Sequence, residues 1–498
     1  MTRRPATSMP PFEATRCILL GAQARTRRLP FGQIVPDCDI MENRLDREPI
    51  CLNELARSTC WKKTGLDLGN PDRAVSPLSE TCIEAMRIAV MCKSDRFGGG
   101  ASRVGEDLCR MLNRAGHESH LYLSFSIGER TGYMRSLYST RPRISEVARK
   151  INRASMLLGL PNLIPSELFY LWLKKRRFQY DLFHFHDLST AISPFTPGSL
   201  VRKQPTVWTF HDCSGFTGGC IYPGDCLRYQ SGCGQCPQTG SWPLEGRIDG
   251  TRILSRIKKR TLAQPQIRIV SPSQWMADLA MDSGLLSSPP RVIPNCVDIE
   301  TFKPQPKKEV RTKLGLPVDR KIILFTAGPL HEERKGLRHA LEAVKAVAHL
   351  NPLVLLIGDD QGALDQSEPG LEIVRTGYLR DEVQKAMYFA SADVFLFTSL
   401  EDNLPLSILE TMAVGTPVVG FNTGGVPEMI QQGHEGFLVP QRDGEGLRQG
   451  LNEALESNQA EAWGRAARER VERDFNQSLF LGRHLDLYAE AIEEFVPR

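Results

Sequence analysis

Long apolar runs are missing from this chain. None reaches the roughly 18 residues that a membrane-spanning helix needs. The nearest approach, Met156 to Leu173, is broken by Pro161, Asn162, Pro165 and Glu167. The N-terminal apolar run from Cys17 to Ala22 is too short for a secretory signal peptide. A cytoplasmic protein is therefore the default expectation. An excess of one charge is missing too: 62 Lys and Arg against 58 Asp and Glu leave +4. So small a balance does not argue for a nucleic-acid partner. The glycines at 98 to 100 do not spell G-x-G-x-x-G, so a nicotinamide cofactor is not indicated.

What is present describes a globular chain, 41% hydrophobic and 24% charged. At 498 residues it is too long for one ordinary core, and two domains are expected. Residues 1–85 carry scattered Pro, Arg and Cys with no sustained period. They read as a disordered extension or an upstream mis-start, with an extra subdomain as the alternative. Met86-Arg-Ile-Ala-Val-Met-Cys then begins abruptly as a first strand.

The stretch with the densest chemistry is Ser399 to Val419. It follows an apolar strand candidate, Asp393 to Thr398, with an acidic turn containing Glu401, Asp402, Asn403 and Pro405. A helix is predicted from about Leu406 to Ala413, with Gly415 placed to end it, and a strand from Pro417 to Gly420. Seven residues separate Asp402 from Glu410. A helix N-terminus suits phosphate, while carboxylates beside it accept hydrogen bonds from sugar and ribose hydroxyls. One site of this kind holds a nucleoside diphosphate joined to a sugar. The plain alternative is an ordinary strand-loop-helix with a solvated acidic turn.

Other segments carry chemistry of their own. Asp95 to Arg103 is a Gly-rich turn, and a helix is predicted from Val104 to Ala115. Gly99 and Gly100 there let a ligand approach the backbone. Asp181 to His186 and Thr206 to Asp212 read as core strands, the second ending in His211-Asp212. A His at a strand's carboxyl end hydrogen-bonds a sugar hydroxyl or exchanges a proton; His184 and His186 read as structural. Arg334 and Lys335, in His331-Glu-Glu-Arg-Lys-Gly336 after the strand Lys321 to Gly328, suit a diphosphate, the alternative being a charged surface turn. Arg141 to Phe178 sets basic residues beside Leu157, Leu158, Leu160, Tyr170, Leu171 and Trp172. That fits an anionic membrane surface, or equally a solvated helix over a normal core.

Cys220, Cys226, Cys233 and Cys236 form C-x5-C-x6-C-x2-C within the Cys-rich loop 211–238. Disulfides would be unusual in a reducing compartment. Four thiolates in 17 residues can bind structural zinc, although the spacing is not a common zinc pattern. Reduced thiols packing a Gly-rich loop are the alternative.

The Ser399 to Val419 stretch resembles the E-x7-E signature of retaining, nucleotide-sugar-dependent glycosyltransferases of the GT-B fold, family four. Asp402 stands at the first acid position and Glu401 just before it. Glu401-Asp-Asn-Leu-Pro405 and the segment Phe216 to Gln238 resemble the bacterial branch that builds capsular and exopolysaccharides, including colanic-acid-type enzymes. Cys296 stands where that family has Gly, and Pro329 where the wider family has Arg, whose part Arg334 is expected to take.

The resemblance covers residues 86 to 495. It implies an α/β GT-B fold of two doubly wound, Rossmann-like domains facing across a cleft. The acceptor-side domain would be 86–290, the nucleotide-sugar domain 291–480 with Phe302 to Pro306 as linker, and 481–498 a helix packing back on the first. Val374 to Arg380 resembles a nucleobase pocket. His211, Asp212, Glu401 and Asp402 are the implied catalytic residues. Arg334, Lys335, Asn403, Leu404, Pro405, Leu406, Glu410, Gly99 and Gly100 are the implied binding residues, with Lys335 and Glu410 expected in an open cleft. The implied donor is a nucleoside diphosphate sugar. The implied acceptor is a glycan, lipid-linked through undecaprenyl, reached from a peripheral position on the cytoplasmic face of the inner membrane. No cofactor is required for catalysis on this reading. A 2-epimerase-like enzyme of the same architecture and a non-catalytic zinc or nucleic-acid module are the rival readings. Only Arg228 among basic residues lies between Cys213 and Cys236, against the module.

Overall fold

The computed structural model describes residues 84–138, 141–173, 179–186, 188–189, 191–326, 332–358 and 370–497. The chain divides after Glu80, and the expected extension falls almost wholly outside the described residues. Thr81–Arg498 forms one compact unit that contains two sheets.

The first sheet has seven strands: β1 (Arg87–Cys92), β2 (Glu118–Leu123), β3 (Met134–Ser136), β4 (Leu182–Phe185), β5 (Thr206–Thr209), β6 (Ile267–Ser271) and β7 (Arg291–Val292). They run parallel in the order β3-β2-β1-β4-β5-β6-β7. The helices between them are α1 (Gly100–Arg114), α2 (Pro142–Leu157), α3 (Ser166–Leu173), α4 (Phe195–Leu200), α5 (Thr251–Leu262) and α6 (Gln274–Asp282). β1 is buried at every position but Arg87 and β4 at every position, the continuous apolar pattern of a sheet covered on both faces.

The second sheet has six parallel strands: β8 (Ile322–Thr326), β9 (Leu353–Ile357), β10 (Glu372–Gly377), β11 (Val394–Phe397), β12 (Val418–Phe421) and β13 (Gly436–Val439). Their order is β10-β9-β8-β11-β12-β13. Its helices are α7 (Lys307–Leu314), α8 (Leu337–Ala346), α9 (Glu382–Ser391), α10 (Leu406–Ala413), α11 (Val426–Met429), α12 (Gly444–Glu456) and α13 (Gln459–Asp474).

Both sheets are doubly wound, so each has a switch point where the winding reverses: β1/β4 in the first and β8/β11 in the second. Ligands of such sheets sit beyond the carboxyl ends of the strands at that point. The loops after these four strands carry Gly99 and Gly100, His186, Lys335, and Asp402. The chain crosses between the sheets near Val297, whose N–H donates to the Phe475 carbonyl at 3.0 Å. The final helix, α14 (Gln477–Glu493), returns to the first sheet. There Phe480, Leu487, Tyr488 and Ala491 share a core with Ile88, Val90 and Leu108.

Two local expectations need correction. α1 begins at Gly100, not Val104, because Gly99 adopts φ +119 and turns the chain into the helix directly. Phe302 is not linker: it is fully buried in the second core, packed edge-on against Phe389. α14 is capped where the Asn476 side chain accepts from the Leu479 N–H.

Candidate active site

The second-domain wall of the cleft is charged. After β8 a short turn presents Arg334 and Lys335, and Gly336 closes it at φ +70. A Cβ there would fall 1.9 Å from the Thr398 carbonyl, so only glycine lets this turn pack on the end of β11. Lys335 Nζ donates to Asp402 Oδ2 at 2.8 Å. Arg334 Nη1 lies 3.7 Å from the same oxygen and donates to the Glu401 carbonyl at 2.7 Å. Burial alone would raise the Asp402 carboxyl, but the two cations outweigh it and hold it below the usual range.

The two neighbouring acids part company. Asp402, at the strict spacing, faces the cations. Glu401 turns towards the first domain and accepts from the Gly224 N–H at 3.2 Å. Burial raises its pKa.

Glu410 is 1% exposed, against the expectation of an open cleft. α10 aims it at two cations: Lys385 Nζ of α9 stands 2.7 Å from both carboxylate oxygens, and Arg103 of α1 pairs with it from the first domain. Arg103 also holds Glu382 at 2.8 Å, and Arg96 pairs with Glu382 too. Burial opposes the Glu410 charge, but Lys385 and Arg103 overcome it and keep the pKa low. An interdomain cavity of about 280 Å³ opens beside this cluster, lined in part by Arg103, Asp107, Asp298, Glu382, Leu406 and Glu410.

The first-domain wall is centred on histidines and carries one carboxylate, Asp212. His211 follows β5, and its Nε2 lies 2.9 Å from His186 Nδ1. Asp212 turns back to accept the Ser214 N–H at 2.7 Å. A small cavity of about 10 Å³ touches Ala101, His186, His211 and Asp212, so the start of α1, next to Gly100, and the His-Asp pair share one corner. Asn403 ties the walls together. It is 3% exposed, and its amide donates to the Phe210 and His211 carbonyls at 3.3 and 3.1 Å. Leu404 is core, and its carbonyl accepts from Asn295 at 2.9 Å. Pro405 precedes the first turn of α10. Of the loop residues expected at the donor, Asn403 and Leu404 thus serve the domain junction, while Leu406 lines the cavity.

The Cys-rich loop is a second tie. Arg334 lies over the Tyr222 ring at 4.8 Å, and Gly224 meets Glu401 as described. Cys220, Cys226, Cys233 and Cys236 line one small pocket, and all are free thiols. Among the described residues no three His, Cys, Asp or Glu side chains form a metal-holding group. Burial raises Cys220 to about 12 and also raises Cys233 and Cys236. As arranged here, the four thiols are not gathered into a tetrahedral zinc shell.

Sequence reasoning missed Arg103, Lys385 and Tyr222. His186, the second His of a strand-end His-x-His, reads from the sequence as structural, and the structure sets it against His211. Glu428, in α11 after β12, accepts the Gln274 and Trp275 N–H groups of α6 at 2.7 and 2.8 Å, and Tyr378, in the Val374 to Arg380 segment, is 54% exposed.

Two family models match this geometry. "Glycosyltransferase Family 4" matches residues 98–301, and "Glycosyl transferases group 1" matches residues 320–457. The chain belongs to the family four, group 1 glycosyltransferases of the GT-B fold. Among relatives of this chain, sulfoquinovosyl transferase SQD2 of Arabidopsis thaliana is 34% identical, covering 36% of this chain and 35% of that protein. The putative colanic acid biosynthesis glycosyltransferase WcaL of Escherichia coli K12 is 30% identical, covering 37% of this chain and 47% of its own. The chain thus matches about half or less of the length of these relatives. Among solved structures, Anabaena Alr3699/HepE in complex with UDP-glucose aligns with TM-score 0.58 at 16% identity, over 81% of this chain and all of that one. That likeness concerns the fold.

Proposed function

We propose that this glycosyltransferase moves a hexosyl group from a nucleoside diphosphate sugar to a hydroxyl of a growing glycan, with retention of configuration. The observation that carries the proposal is the pairing of Lys335 and Arg334 with Asp402 at one switch point, opposite His211, which follows β5 and meets His186 of the other. A diphosphate entering at Lys335 meets a cation whose present partner is a single carboxylate. Charge accumulates on that diphosphate as the glycosidic bond breaks, and fixed cations stabilise it there. His211 and Asp212 face the transferred sugar. The nucleoside takes the cavity beside Glu410 and the Tyr378 segment. No resident metal or cofactor enters the proposal, and zinc at the four cysteines is not part of it.

The acceptor is proposed to be lipid-linked, through undecaprenyl, on an anionic membrane surface. α2 supports this reading. One face is buried through Ala148, Asn152, Ser155 and Met156. A second, exposed stripe carries Ile144, Val147, Ile151 and Leu158, flanked by exposed Arg143, Arg149 and Lys150. Trp172 of α3 is 54% exposed; the basic run 174–177 lies outside the described residues. No described helix is long and apolar enough to cross a membrane, so attachment would be interfacial.

The test is a screen of UDP-, GDP-, ADP- and TDP-sugars for donor hydrolysis and for transfer to glycan acceptors. Transfer with retained anomeric configuration supports the proposal. Epimerised donor formed without any acceptor contradicts it.

A further inference from the structure

His186 is buried, with 2% of its surface exposed. Its two ring nitrogens have different fates. Nδ1 meets His211 Nε2 at 2.9 Å, whereas Nε2 has no hydrogen-bond partner among the described residues. The ring centroids of His186 and His211 lie 5.2 Å apart with planes 26° from parallel. With nitrogens at 2.9 Å, that separation describes two imidazoles joined edge to edge along their hydrogen bond, not stacked face to face.

The rest of the His186 surroundings hold its ring still. His184 packs on it with centroids 4.1 Å apart. His184 is itself fixed at both nitrogens, by the Tyr488 hydroxyl at 2.6 Å and the Thr209 hydroxyl at 2.8 Å. On another side α1 closes against the ring at Gly105, where a Cβ would fall 3.1 Å from His186 Cγ and 2.3 Å from Cys92 Sγ. Burial, with His184 and His211 beside it, pushes the His186 pKa well down, so the ring is neutral and carries one proton.

Where that proton sits follows from accounting for donors. On Nε2 it would be a buried N–H with no acceptor, the rarer and costlier kind of orphan. On Nδ1 it points at His211. We propose that His186 is a positioning residue: its Nδ1–H donates to His211 Nε2, which fixes the ring orientation of His211 and puts the proton of neutral His211 on Nδ1. The catalytic consequence rests on the reading that His211 faces the transferred sugar. His211 then meets the reacting region through one nitrogen of defined character, set from behind by a residue that touches no substrate. The support reaches further back, through His184 to Tyr488, so the last helix of the chain buttresses the catalytic histidine of the first domain.

Two measurements test this. The first needs no variant: long-range proton–nitrogen spectra of the wild-type protein labelled with ¹⁵N-histidine, the His211 signals assigned by their loss in His211→Ala. Protonated Nδ1 and bare Nε2 at His211 are expected at pH 7.5; a protonated Nε2 overturns the proposal. The second is turnover of the best donor found among UDP-, GDP-, ADP- and TDP-glucose. His186→Phe should lower kcat about 10- to 100-fold, the usual cost of losing an orienting partner, with donor KM within about twofold. His186→Asn, whose amide nitrogen takes the place of Nδ1, should restore most of the loss. Unchanged kcat in His186→Phe while His211→Ala is inactive overturns the positioning role and leaves the site standing. Full turnover in His211→Ala overturns the site reading and the catalytic consequence with it.

Discussion

The two walls of the cleft are made of different material. The second-domain wall is charged: Arg334, Lys335, Asp402, Lys385 and Glu410 lie in it, partly buried and paired. The first-domain wall is neutral at its centre. His184, His186 and His484 are buried with pKa values pushed down, His484 to about 4, and they bond to two hydroxyls, His211 and a carbonyl. Fixed charge suits a diphosphate, whose charge changes as a bond breaks. Fixed neutral hydrogen bonds suit a sugar, which must be oriented and carries no charge. Arg103 breaks the division: it belongs to the first domain but completes the charged cluster of the second.

Breaking the charged wall at Glu410 is expected to have the largest effect. Glu410→Ala leaves Arg103 and Lys385 buried without their shared carboxylate, and removing one partner of a buried pair costs about 3–5 kcal/mol. Chemical denaturation checks this. It reverses the expectation, natural for an open cleft, that such a variant keeps normal stability. Lys335→Ala should follow with a turnover loss of about 100- to 1,000-fold and a smaller stability change, since the Lys335 side chain is already 19% exposed. Steady-state kinetics on the identified donor read it out.

The neutral wall should be broken by acid. Its histidines have folded pKa values below the unfolded value of about 6.5. The unfolded chain therefore binds more protons as pH falls below 6.5, and stability drops by up to about 1.4 kcal/mol per pH unit for each histidine. For His484 the loss continues down to about pH 4. Glu167 and Asp107, raised by burial, work the other way. A falling melting temperature between pH 7 and pH 5, less steep in His484→Phe, is the expected outcome. Metal removal should have the smallest effect. A chelator is expected to leave the melting temperature unchanged, whereas release of one equivalent of zinc with a drop in melting temperature would restore the zinc reading of the cysteines.

Much of this fold was legible because its periodicity is local. The strand, helix and strand from Val394 to Phe421 fall within two residues of expectation. Apolar runs, a proline before the helix and Gly415 at φ +75 after it specify them without distant partners. The misplacements have local causes as well. Asp95 to Arg103 reads as a turn, yet only its first part is one: Gly99 supplies the turn from which α1 starts at Gly100. What sequence did not disclose is pairing across the cleft. Arg103 looks like any exposed residue on the first turn of a helix, and Glu410 like any cleft acid. Only folding brings residues 307 positions apart into contact. Likewise Asn403 sits inside a binding motif, but its amide is used to hold the His211 backbone.

The division of labour between the walls is tested most directly by calorimetric titration of wild type, Lys335→Ala and His211→Ala with UDP, GDP, ADP and TDP. The best-bound nucleotide should lose at least about tenfold in affinity, near 1.4 kcal/mol, in Lys335→Ala, and should bind His211→Ala as it binds wild type although turnover is lost. Equal weakening in both variants, or wild-type affinity in Lys335→Ala, would contradict a charged wall for the diphosphate facing a neutral wall for the sugar.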